Sequence, residues 1–128
     1  MKMFINNLSK FLSAPLNYYV FKPIANYKKL KNQILKDLVF YANAYDDCEN
    51  KQMQVRSQKR KEVLRMHAAE LATYQKELPK FYLKKEINNG VNITRAVQLL
   101  LIMSNSNIDI NYAKHEDELR RRLGFGEK

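Results

Sequence analysis

Apolar residues recur every three to four positions along most of this chain, which is the period of an amphipathic helix and not of a strand. Phe4, Ile5, Leu8, Phe11 and Leu12 fall on one helical face, with Asn6, Asn7, Lys10 and Ser13 opposite. Pro15 is expected to end this short helix near Ala14, because the residue before a proline avoids the α region. A linker bearing Tyr18, Tyr19 and Phe21 follows, and Pro23 suits the first turn of a second helix.

That second helix, expected over roughly 24 to 46, aligns Tyr27, Leu30, Ile34, Leu38, Tyr41 and Tyr45 in one stripe and turns Lys28, Lys29, Asn32 and Lys36 away from it. The Asp46 to Asn50 cluster breaks the pattern. A long helix from about Gln52 to Leu78 follows, seamed by Met53, Arg60, Val63, Leu64, His67, Ala68, Leu71, Tyr74 and Leu78 and stopped by Pro79. Its first half, Lys51 to Arg65, is mostly polar and is expected to project into solvent. Asn88-Asn89-Gly90 marks a turn, after which Asn92 can cap a helix from Ile93 to about Ser104. Apolar side chains nearly surround that helix, so it should be the most buried. The last helix runs from about Asp109 or Asn111 to Leu123, with Gly124 as its stop. Glu116, Asp117 and Glu118 precede Arg120, Arg121 and Arg122 by four residues, giving three ion pairs in the favourable acid-first order.

Composition agrees with helices. Three Gly and three Pro in 128 residues are too few to punctuate many strands, and 45% apolar content suffices for one modest core. The expected fold is therefore an all-α, four- or five-helix, bundle-like single domain over residues 24–128, preceded by an amphipathic basic docking segment over residues 1–23. A single cysteine, Cys48, fits a reducing compartment better than secretion. Phe11 to Phe21 and Leu99 to Met103 are too short or too interrupted to span a bilayer, and the first residues lack the uninterrupted apolar run of a signal peptide.

Charge sharpens the picture. The formal net charge is +10, yet residues 1–36 hold seven lysines (Lys2, Lys10, Lys22, Lys28, Lys29, Lys31 and Lys36) and no acid, while the other 92 residues hold 16 basic and 13 acidic side chains. A short helix of Phe, Ile and Leu followed by an acid-free lysine tract with interfacial tyrosines has the make-up of a peripheral membrane anchor. Phe4, Ile5, Leu8, Lys10, Phe11, Leu12, Lys22, Lys28, Lys29 and Lys31 are the candidate membrane-docking residues. Each lysine near an anionic leaflet contributes about 1 kcal/mol. The same segment can instead pack on its own domain or on a partner protein. Arg56, Lys59, Arg60 and Lys61 form a second basic cluster that could contact phosphates, or simply line a solvated helix face; no helix-turn-helix, RNA-binding or zinc-finger pattern accompanies it.

Support for catalysis is missing. Cys48 lies among Asp46, Asp47 and Glu49, whose charges disfavour a reactive thiolate. His67 and His115 belong to no metal-ligand spacing, and His67 reads as a partly buried core histidine. No catalytic residue, metal site or cofactor is expected.

Three stretches, Asp37-Leu38-Val39-Phe40-Tyr41-Ala42-Asn43-Ala44-Tyr45, then Ala68-Ala69-Glu70-Leu71 leading to Leu78-Pro79, then Asn92-Ile93-Thr94-Arg95-Ala96 leading to Leu101-Ile102-Met103-Ser104-Asn105-Ser106, together resemble a family of small uncharacterised bacterial helical proteins. Members typically carry an N-terminal hydrophobic membrane segment, so the resemblance implies a helical fold at a membrane and transfers no catalytic residue. This chain departs from that pattern in lacking a full spanning segment. The expectation is a non-enzymatic binding or scaffold protein at the cytoplasmic face of a membrane. A basic nucleic-acid-binding accessory protein and an oligomeric adaptor joined through its helical seams are the alternatives.

Overall fold

The computed structural model describes residues 17–46 and 49–126. Within them the fold is all-α. A π-type turn over Asn17–Phe21 runs directly into α1 (Lys22–Phe40), followed by α2 (Lys51–Glu77), α3 (Lys80–Asn88), α4 (Ile93–Ser104) and α5 (Ile110–Arg122). The amphipathic helix expected over residues 4–14 lies outside the described residues.

The long helix α2 is the spine. It carries α1 on one flank and α4 on the other, α5 packs on α4, and α3 closes the end of the bundle beside the first half of α1. Each helix contributes a stripe at the spacing that periodicity demands: Tyr27, Leu30, Ile34 and Leu38 from α1, Leu64, Ala68 and Leu71 from α2, Ala96, Leu99, Leu100 and Met103 from α4, and Tyr112 and Leu119 from α5. The seam residues of the first two long helices thus fill the chain's own core. Tyr27, Ile34 and Leu71 are fully covered.

Helix starts follow side-chain caps. Asn50 accepts from the Met53 N–H at 3.1 Å, Asn92 from Arg95 at 3.0 Å and Asp109 from Tyr112 at 2.9 Å, each satisfying an N–H that has no partner within its helix. Leu78, just before Pro79, is extended at ψ 138°, and α2 ends there. Gly90 and Gly124 adopt φ +88° and +91° as α3 and α5 terminate, positions that glycine fills without a Cβ penalty.

Several expectations are corrected. The second helix stops at Phe40 and not near residue 46, because the backbone tightens there to i→i−3 bonds, Ala42 N–H to Val39 and Ala44 N–H to Tyr41; the Arg56 guanidinium donates to the Phe40 carbonyl, and Arg60 Nε to that of Ala44 at 3.3 Å. The first half of α2 does not simply project into solvent, since Ser57, Arg60 and Leu64 are buried along it. The expectation that α4 is the most buried helix holds, with six of its 12 residues buried, although Leu101 and Ile102 remain 44% and 38% exposed. On α5, Glu116–Arg120 and Glu118–Arg122 close at 3.4 and 3.3 Å, while Asp117 and Arg121 form no pair among the described residues. The hydrophobic pattern assigned nothing to residues 80–87, where α3 stands.

Candidate docking surface

On α1, the core stripe leaves a second face in solvent. Lys22, Lys29 and Lys36 are seven residues apart and share that face with Lys28, Ala25 and Asn32, all exposed. At 1.5 Å per residue the three lysines span about 21 Å. Tyr19 and Phe21 precede the face at 69% and 59% exposure, and Val39 and Phe40 end it at 66% and 59%. Lys28, Lys29 and Lys36 carry no ion pair among the described residues. The one acid on this helix, Asp37, is turned sideways, accepting from Gln33 at 3.1 Å and lying 2.5 Å from His67 Nε2. The result is a lysine face to which α1 itself supplies no acid, bracketed by large apolar side chains, with Glu77 of α2 beside Lys22 at its start.

Lys31 does not belong to it. Its ammonium donates to Glu86 at 3.1 Å and sits 5.0 Å above the Tyr27 ring and 5.3 Å above that of Phe125, with only 13% of the side chain exposed. Tyr27 Oη donates to the same carboxylate at 2.8 Å, and burial, reinforced by that carboxylate, pushes the phenol well above its ordinary range. Lys31 is thus an internal cation that compensates a buried acid. Phe4, Ile5, Leu8, Lys10, Phe11 and Leu12 lie outside the described residues.

The second basic cluster is dispersed. Arg60 is completely buried and cannot touch a phosphate: its guanidinium donates to the carbonyls of Ala44, Met103 and Ser106 and lies 4.9 Å from the centre of the Tyr112 ring. Lys61 is paired with Asp46 at 2.8 Å, a contact that, with the Ser57 hydroxyl, holds that carboxyl below its usual range. Arg56 lies over the rings of Phe40 and Tyr41, at 4.7 and 5.7 Å. Lys59 alone of the four stays exposed.

His67 is buried as expected, with Nε2 against Asp37 and Nδ1 without a hydrogen-bond partner among the described residues. Cys48 lies outside the described residues. Among the described residues no three His, Cys, Asp or Glu side chains converge as metal ligands, and no helix is long and apolar enough to cross a membrane. No family model, curated protein or solved structure matches this chain.

The sequence reading missed α3. Lys80, Phe81, Lys84, Lys85 and Ile87 are all exposed on it, and its one acid, Glu86, is buried against α1. The signal was present as the acid-free run Lys80 to Lys85, but half-buried Leu83 and Pro79 obscured which residues faced inward.

Proposed function

We propose that this protein is a non-enzymatic docking module that attaches peripherally to an anionic membrane surface at the cytoplasmic face, scaffolding whatever it binds there. The observation that supports this reading is the outward face of α1, where Lys22, Lys28, Lys29 and Lys36 stand exposed while Asp37 is drawn away to His67. Four lysines at about 1 kcal/mol each near an anionic leaflet correspond to roughly a thousandfold preference over a neutral one. Exposed Tyr19 and Phe21 supply the amphipathic rings that settle at headgroup depth. The sequence of residues 1–14 carries Phe, Ile and Leu at helical spacing.

The nucleic-acid reading has less to stand on, because Arg60, Lys61 and Lys31 are committed to internal partners. The test is flotation of the full chain with neutral and anionic vesicles, beside a truncation starting at Pro15. Binding that requires anionic lipid and weakens on truncation supports the reading. A chain that ignores both vesicles yet shifts an oligonucleotide in a salt-dependent manner defeats it.

A further inference from the structure

The lysine face of α1 forms one rim of a groove whose other wall is α2. The two helices run antiparallel along it, with Lys22 beside Glu77 at one end and Phe40 held by Arg56 at the other. Midway, Asn26, Lys29 and Gln33 of α1 and His67, Glu70 and Tyr74 of α2 line a cleft of about 310 Å³, at the small end of the range for ligand sites. Lys29 and Glu70 are both exposed there, and neither carries an ion pair among the described residues. In the wall of the cleft, buried His67 leaves Nδ1 without a hydrogen-bond partner among the described residues, an atom of the type that folds ordinarily satisfy with water or a ligand. The arrangement recurs seven residues along each helix, where Lys22 and Glu77 line the next cleft with Tyr19 and, again, Asn26. Each cleft thus combines a lysine of α1, a glutamate of α2 and a tyrosine. Two exposed carboxylates beside a lysine face weaken its pull on an anionic surface unless something positive covers them.

We propose that this groove holds the headgroups of amine-bearing phospholipids, the phosphate on Lys29 or Lys22 and the ammonium on Glu70 or Glu77 beside the neighbouring tyrosine. This rests on the membrane reading above and names the lipid class that reading leaves open. A lysine and a glutamate that share a cleft without pairing match the two charges of a zwitterion. Because the clefts open along the rim of the lysine face, a headgroup enters them without leaving the bilayer surface. A primary ammonium offers N–H donors to a carboxylate, which a quaternary ammonium lacks, and one tyrosine per cleft falls short of the aromatic cage that quaternary ammonium ligands use. The headgroup is therefore phosphoethanolamine and not phosphocholine.

The test is flotation with vesicles that hold one fixed fraction of phosphatidylglycerol, the remainder being either phosphatidylethanolamine or phosphatidylcholine. The unsubstituted chain should bind the phosphatidylethanolamine vesicles about threefold to tenfold more tightly. Glu70 and Glu77 are exposed, so a Glu70→Gln, Glu77→Gln variant should keep the fold, which circular dichroism checks. In that variant the preference should vanish while the dependence on phosphatidylglycerol remains, and Glu70→Gln alone should lose part of it. Ethanolamine lipids also change bilayer packing, so a preference that the double variant keeps in full belongs to the bilayer and overturns the headgroup sites. Equal binding of the unsubstituted chain to the two vesicles overturns them too, and docking through α1 stands in both cases. If the unsubstituted chain binds neither vesicle, both proposals are overturned.

Discussion

Replacing Arg60 with methionine removes a group that ties three parts of the chain together. The guanidinium, fully buried, reaches the carbonyl of Ala44 after α1 at 3.3 Å, that of Met103 in the last turn of α4 at 3.2 Å, and that of Ser106 beyond it at 2.7 Å. Met103 and Ser106 sit at the end of a helix whose free carbonyls concentrate negative charge. Methionine fills similar space and takes the Arg60 donor from all three carbonyls, but that of Met103 keeps the Ser106 N–H at 3.2 Å. Each buried acceptor left without a donor costs about 1–3 kcal/mol. Ala44 is wholly covered, whereas half-buried Ser106 can find water, so one full penalty and part of a second give about 2–4 kcal/mol. Against a typical domain stability of about 5–15 kcal/mol this is large, and it corresponds to a fall in Tm of about 5–15 °C. Urea and thermal unfolding followed by far-UV circular dichroism measures it, with an unchanged m-value confirming that the same surface unfolds. Arg60→Lys, which keeps the charge but not the planar fork, should lie between the two. An Arg60→Met protein melting within about 2 °C of the parent would show that these carbonyls are satisfied otherwise, and the reasoning would be wrong.

Leu71, fully buried in the C-terminal half of α2, should cost about 2–5 kcal/mol as Leu71→Ala in the same urea titration. Gly124→Ala forces an L side chain to φ +91° with its Cβ 3.1 Å from Val91 Cγ2, whereas Gly90→Ala at φ +88° meets nothing within 4 Å; both should destabilise by about 1–2 kcal/mol of backbone strain, and Gly124→Ala by measurably more. Glu118 accepts from both ends of the Arg95 guanidinium at 3.0 and 3.1 Å and from Arg122, contacts that hold its carboxyl down to about 2. Because the folded value lies below the ordinary 4.5, the stabilisation is complete above that pH and is lost as pH falls toward 2. Glu118→Gln should therefore lower Tm slightly at pH 7 and flatten its dependence between pH 4.5 and 2, the effect being small for so solvated a carboxylate.

The elements most visible in the sequence were those whose ends are encoded locally. The Asn92 cap and the Ser104 end of α4, Pro79 after α2, and Asp109 with Gly124 around α5 each act through the next few residues. The end of α1 was hidden because no proline or glycine marks it, and the Arg56 and Arg60 contacts to the segment that follows come from 16 residues away. Periodicity placed Arg60 on the seam of α2 but carried no information about three acceptors distant in sequence, so an internal staple looked like part of a phosphate-binding cluster. Lys31 misled in the same way, since Glu86 lies 55 residues further on. The lysine face of α1 was legible because helical geometry alone separates Lys28, Lys29 and Lys36 from the stripe of Tyr27, Ile34 and Leu38. The turning aside of Asp37 was not, since that depends on His67 from another helix.

The most direct test of docking through α1 is the partition of the Lys22→Gln, Lys28→Gln, Lys29→Gln, Lys36→Gln variant onto vesicles of rising anionic lipid content, beside the unsubstituted chain. None of these side chains is in the core, so the fold should survive, and circular dichroism checks that it does. The unsubstituted chain should bind more tightly as anionic lipid increases, and the neutralised variant should lose that dependence and about a thousandfold of the affinity. Equal partition of the two proteins at every lipid composition would contradict the account.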